Sequence, residues 1–168
     1  MKIHYKVPDN LNPKAPFVRW ATWFGCGFIS PAPGTWGSLG ALPFGILLYA
    51  LGGPILLLFA ICAILPLGLW AAHEYGKAIK EHDSPQIVID EVIGMWIALI
   101  PVAGAPVFYI ILAFLLFRFF DILKPWPISF FDKNVKNAFG VILDDVLAGL
   151  FALLVLLWIH HIEMGISL

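Results

Sequence analysis

Five apolar blocks alternate with polar stretches along the chain: Leu39–Leu51, Pro54–Ala72, Val92–Ala103, Pro106–Phe120 and Val146–Ile159. The second runs 19 residues without a charge. At 1.5 Å per residue it reaches about 28 Å, close to the hydrocarbon thickness of a bilayer. Gly52-Gly53 separates the first two blocks and reads as a tight turn. PVAGAP, between the third and fourth, is too short and apolar to be anything but a turn at the far face. Several blocks are short for a full span, so flanking charged residues are expected to carry each helix into the headgroup zone, with thinning or tilt. The expected fold is all-α, a polytopic membrane helix bundle of about five short helices. Its polar regions, 1–38, 73–91 and 121–145, are expected to share one face.

Composition agrees. Of 168 residues, 61% are hydrophobic and 12% charged, against roughly 25% charged in soluble domains. The chain cannot cover a water-facing surface with these residues, which points to an integral membrane protein. All ten Lys and Arg fall in the three polar regions or, for Arg118, at the edge of the third, and ten of eleven acids fall in them, Glu163 being the exception. By the positive-inside tendency those regions face the cytoplasm, with the N-terminus inside and the C-terminus outside. Residues 1–24 read as a polar or interfacial segment, 25–160 as the membrane-embedded domain and 161–168 as a short tail. The polar, proline-rich start shows no cleavable signal peptide. The net charge of -1 gives no sign of nucleic-acid binding, and no obligate protein partner is expected. Cys26 and Cys62 lack metal-ligand spacing and read as small buried hydrophobes. Trp70, Trp96, Trp126 and Trp158 fit an interfacial belt.

The chemistry lies in the polar regions. HDSPQIVIDEVIGMW carries Asp83, Asp90 and Glu91; FRFFDILKPWP carries Arg118, Asp121 and Lys124; GVILDDVLAG carries Asp144 and Asp145. The first and third share a pattern of aliphatic residue, Asp, acid, Val, aliphatic residue and a nearby Gly, which places adjacent carboxylates at the first turn of a membrane helix. Acids at helix starts complement the macrodipole, but that accounts for one acid per helix, not two pairs at the bilayer edge. Converging carboxylates in low dielectric repel one another, and a divalent cation relieves this. Hard oxygen donors without thiols or a His pair point to Mg²⁺ rather than Zn²⁺. Mg²⁺ with few protein ligands completes its shell with water and phosphate. Arg118 and Lys124 lie on the same face as phosphate partners, although a headgroup anchor or a positive-inside residue would look the same. PAPGTWGS at 31–38 builds a tight turn and places Thr35 and Ser38 where a helix would start, an anion-binding geometry or simply an N-cap. His73 and His82 read as interfacial residues.

GCGFISPAPGTWGS, DSPQIVIDEVIGMW, FRFFDILKPWPI and GVILDDVLAG resemble, in that order, the signature blocks of the phosphatidylglycerophosphatase A family, across roughly 25 to 150. The resemblance implies a Mg²⁺-dependent lipid phosphatase of the bacterial inner membrane that converts phosphatidylglycerophosphate to phosphatidylglycerol. It puts Asp83, Asp90, Glu91, Arg118, Asp121, Lys124, Asp144 and Asp145 on the family's charged motif positions, and Thr35 and Ser38 on its loop motif. The expected metal ligands are Asp83, Asp90, Glu91, Asp144 and Asp145. Asp121 and Lys124 join Asp90, Glu91 and the Asp144–Asp145 pair as catalytic candidates, and Thr35, Ser38, Arg118 and Lys124 are the substrate-binding candidates. Attack by water and an aspartyl-phosphate intermediate both remain open.

Other classes fit less well. A CDP-alcohol phosphatidyltransferase also uses membrane-edge aspartates, but its Asp-Gly and Ala-Arg dipeptides do not occur here. The Ser-Gly-His of histidine phosphatases is missing, and neither cysteine is followed six residues later by Arg. A small divalent-cation transporter remains the alternative, but its acids would be expected near the midplane rather than at one surface.

Overall fold

In the computed structural model the described residues are 3–81, 84–135 and 137–166, the last four by backbone alone. Six α-helices lie among them: α1 (Pro16–Ala21), α2 (Pro33–Ile79), α3 (Ile89–Leu99), α4 (Val107–Leu123), α5 (Ile128–Asn134) and α6 (Ala138–Ile166). The all-α expectation holds, with one two-residue ladder in which β1 (His4–Tyr5) pairs antiparallel with β2 (Ile29–Ser30). Two helices, α2 and α6, are long and apolar enough to cross a membrane.

The first two apolar blocks form the arms of α2, divided at Gly52–Gly53. Gly53 takes φ 65°, a left-handed conformation that glycine adopts without penalty. The arms fold back: Gly37, near the start of α2, packs on Val88, while Tyr75, near its end, donates to Gln86 Oε1 at 2.6 Å. Both ends of α2 therefore meet the start of α3. The 100–106 turn then sends α4 back, as expected of PVAGAP. Lys124 ends α4 at φ 42°, and Pro125 cannot continue the helix.

α3 forms the centre. Apart from Glu91, all its residues are buried, and it packs mainly against α6 and α2. A helix apolar on every side belongs inside. With 11 residues it is about 16 Å long, too short to span a bilayer alone. Gly94 and Gly149 let α3 and α6 cross in backbone contact: a methyl group on Gly149 would overlap the Gly94 carbonyl, and one on Gly94 would lie 2.5 Å from the Asp145 carbonyl oxygen.

The N-terminal stretch packs onto this body. Val18 and Ala21 are fully buried, Val88 N–H donates to the Ala21 carbonyl at 2.8 Å, and Asn10 Nδ2 donates to the Ala78 carbonyl. Three expectations change. Asp144 and Asp145 lie in the second and third turns of α6, not its first, because Asn137 caps the helix earlier by accepting from Gly140 N–H at 3.0 Å. Trp96 is buried, donating to the Ala41 carbonyl at 2.9 Å, whereas Trp70, Trp126 and Trp158 are exposed. Cys26 is half-buried and Cys62 exposed, because this arm of α2 buries the stripe of Leu57, Ile61, Ile64 and Gly68 and Cys62 lies off it.

Candidate active site

The ends of α3, α4 and α6 leave a cleft of about 480 Å³. Asp90, Glu91, Asp121, Lys124, Asp144 and Asp145 line it, together with Asp132 of α5. The sequence pattern explains the convergence. In DEVIG the glycine is four residues after Asp90, and in DVLAG it is four after Asp145. Four residues make about one turn, so each Asp stands above the glycine on its helix face. Crossing at Gly94 and Gly149 therefore brings the two acidic turns together.

Asp90, Glu91 and Asp145 each place a carboxylate oxygen within 4.8 Å of the others. Asp90 and Asp145 are buried, as is Asp144. Glu91 Oε2 and Asp144 Oδ1 are buried and have no hydrogen-bond partner among the described residues. Carboxylate oxygens left in this way need a cation. An all-oxygen donor set fits a hard divalent ion, so these residues can hold a metal.

Two cations stand beside the acids. Lys124 Nζ donates to Asp144 Oδ2 at 2.5 Å and to Asp132 Oδ1. Burial works against the ammonium charge, but the hydrogen bonds and charges of Asp132 and Asp144 outweigh it and hold the group above the ordinary lysine range. Lys124 therefore stays protonated at any physiological pH. Arg118 pairs with Asp121 at 2.6 Å and with Glu91 at 3.9 Å. It is not part of the cleft lining. It stands behind Glu91 and fixes that carboxylate from the protein side.

PAPGTWGS reaches the same place by another route. Ala32 occupies the N-cap, so Thr35 and Ser38 lie inside α2 rather than at its start. Ser38 is buried, donates to the Gly34 carbonyl at 2.8 Å and accepts from Arg118 Nη1 at 3.5 Å. Its hydroxyl therefore faces the helix and Arg118 instead of the cleft, because a Ser one turn into a helix bonds back to the preceding carbonyl. Thr35 is half-buried and does not line the cleft either. The loop's contact with the site is Gly34, where a methyl group would strike Glu91 Oε1 and lie 3.1 Å from Arg118 Nη1. Sequence reasoning missed Gly34 and Asp132. A lone glycine in a turn carries no distinguishing signal, and Asp132 is separated from the nearest recognised block by Ser129, Phe130 and Phe131. Asp83 lies outside the described residues.

A family model described as phosphatidylglycerophosphatase A matches residues 19–160. Among named relatives, a Haemophilus influenzae phosphatidylglycerophosphatase A is 43% identical over 148 residues, covering 87% of this chain and 90% of that one. An Escherichia coli phosphatidylglycerophosphatase A is 38% identical over 159 residues, covering 94% and 92%. A Bacteroides thetaiotaomicron protein, provisionally titled a phosphatidylinositol-3-phosphatase, is 40% identical over 141 residues, covering 80% and 87%. No solved structure matches the chain.

Proposed function

Given that the chain belongs to the phosphatidylglycerophosphatase A family, we infer that its cleft hydrolyses the terminal phosphomonoester of phosphatidylglycerophosphate to phosphatidylglycerol and inorganic phosphate. The carrying observation is the junction of Asp90, Glu91 and Asp145 with Lys124 in one cleft at the helix ends. The unit that does this is residues 25–160, with 1–24 and 161–168 as its flanks.

Mg²⁺ is the proposed ion, with Asp90, Glu91 and Asp145 as its nearest ligands and Asp144 and Asp83 as further ones. When bound, it would offset charge on the phosphoryl oxygens and make water a stronger nucleophile. Lys124, protonated and facing the cleft, is the group that binds the phosphate oxygens. Arg118, with Ser38 and Gly34 beside it and Thr35 in the same first turns of α2, supports that region by holding Glu91 and Asp121 in place. Water's oxygen bonds to phosphorus as the P–O bond to the lipid glycerol breaks, and a cleft carboxylate such as Asp144 takes the proton of the attacking water and returns it to the departing glycerol oxygen. Phosphate release from purified protein and detergent-dispersed phosphatidylglycerophosphate tests the reading. EDTA should abolish release and Mg²⁺ restore it, whereas full turnover in chelator would rule out the metal. Ion flux in liposomes without phosphate release would favour the transporter instead.

The protein is further proposed to be a multi-pass protein of the bacterial inner membrane, with the cleft on the cytoplasmic side and the short α3 held inside the bundle without spanning the bilayer alone. All ten Lys and Arg lie in the three polar regions that such an arrangement puts inside or, for Arg118, at the edge of one. A cysteine introduced at the exposed Lys77, in a chain with Cys26 and Cys62 replaced, should resist an impermeant thiol reagent in intact cells and react in inverted vesicles. Labelling of intact cells would reverse the orientation.

A further inference from the structure

The two rims of the cleft differ. On the side of the α2–α3 connection, the exposed residues from 77 to 88 among those described are Lys77, Lys80, Glu81 and Pro85, a mostly polar edge. The opposite rim is built by the end of α4, by α5 and by the start of α6, which supply Lys124, Asp132 and Gly140 to the cleft lining. Each of those lining residues is flanked in the chain by a large exposed apolar one. Ile122 and Leu123 precede Lys124, Trp126 follows it, Phe130 precedes Asp132 and Phe139 precedes Gly140. Trp126 is 79% exposed and Phe139 54%. This tract lies in the polar region between two apolar blocks, where a water-facing loop would not display so many large apolar side chains.

We propose that this tract is a ledge on which the diacylglycerol part of the lipid substrate rests while its terminal phosphate occupies the cleft. The occupant follows from continuity. A phosphomonoester held at Lys124 is covalently tied to an apolar glycerolipid, which must leave the cleft over one of its rims. Among the described residues, the α4–α5–α6 rim is the one that sets large exposed apolar side chains next in the chain to the phosphate-facing residues. Charge agrees, because Lys133 is exposed on α5 beside Phe130 and can meet a second, internal phosphate of an anionic lipid. Bulk bilayer lipid would also cover exposed aromatic side chains, but it would do so equally at the far end of α4, where Phe108 is 66% exposed.

The proposal rests on the phosphatase reading and is tested with two probes. One is phosphatidylglycerophosphate with long acyl chains in vesicles; the other is its water-soluble dibutyryl analogue. The double variant Trp126→Ala with Phe139→Ala should raise KM for the long-chain probe about tenfold with kcat unchanged, the signature of lost uniform binding. Its constants on the dibutyryl probe should match wild type, and Phe108→Ala should change neither. A lipid phosphate with a photoreactive acyl chain should label residues 122–139 of the unaltered protein, so the idea stays testable if the double variant folds poorly. Equal losses on both probes, an unchanged long-chain KM, or labelling confined to other helices would each overturn the ledge. A wild type inactive on both probes would instead sink the phosphatase reading, and the ledge with it.

Discussion

Asp145→Asn should lower kcat by on the order of a hundredfold or more, the scale seen when one stabilising group is removed from a preorganised transition-state site. Asp145 is buried on α6 and shares the 4.8 Å cluster with Asp90 and Glu91. Asparagine keeps its size and one carbonyl oxygen but removes the negative charge that a divalent ion needs. Asp90→Asn should behave in the same way. Part of the loss should return at high Mg²⁺, because fewer anionic ligands weaken binding without erasing the site. Folding should survive, since removing one of several crowded acids relieves repulsion in the metal-free protein. Glu163→Gln provides the control. It lies eighteen residues further along α6, about 27 Å at 1.5 Å per residue, and should leave turnover unchanged. Turnover assays at limiting and saturating Mg²⁺ on membrane-extracted variants decide this. Near wild-type turnover in both aspartate variants at limiting Mg²⁺ would reduce the acids to helix-end decoration.

The acidic cluster was legible in the sequence because hydropathy makes it conspicuous. Carboxylates wedged between aliphatic residues at a bilayer edge have few structural excuses, and the structure gathers Asp90, Glu91, Asp121, Asp144 and Asp145 around one cleft. The helical blocks were legible for the same reason, down to the Gly52–Gly53 break. What hydropathy does not encode is direction within the protein. Ser38 reads as an outward donor, but one turn inside a helix its hydroxyl bonds to the Gly34 carbonyl. Arg118 reads as a phosphate clamp, but Asp121, three residues on, draws it to the protein side. Trp96 reads as a belt residue because tryptophan is common there, yet the central place of α3 buries it. The start of α6 was missed by about two turns because Asn137 provides a cap inside a stretch that composition marks only as polar.

Gly149→Leu should disable the enzyme without touching any charged group. The Asp pairs meet only because α3 and α6 approach to backbone contact, and that approach has no room for a side chain at Gly149. A methyl group there already overlaps the Gly94 carbonyl, so Gly149→Ala should separate the helices by a fraction of an ångström and destabilise the protein by about 1–3 kcal/mol, the usual range for overpacking. Leucine needs a larger displacement. The gap would open one turn from Asp145, so the carboxylate oxygens now within 4.8 Å would drift apart and lose their shared cation. The expected order is wild type, then Gly149→Ala, then Gly149→Leu, in thermal stability and in turnover alike. Added Mg²⁺ should rescue Gly149→Leu poorly, unlike the aspartate variants, because the ligands are displaced rather than weakened. Thermal unfolding in detergent and a Mg²⁺ titration of activity provide both readings. A Gly149→Leu protein with wild-type stability and turnover would mean that α3 and α6 do not touch there, and that something other than the glycine crossing assembles the site.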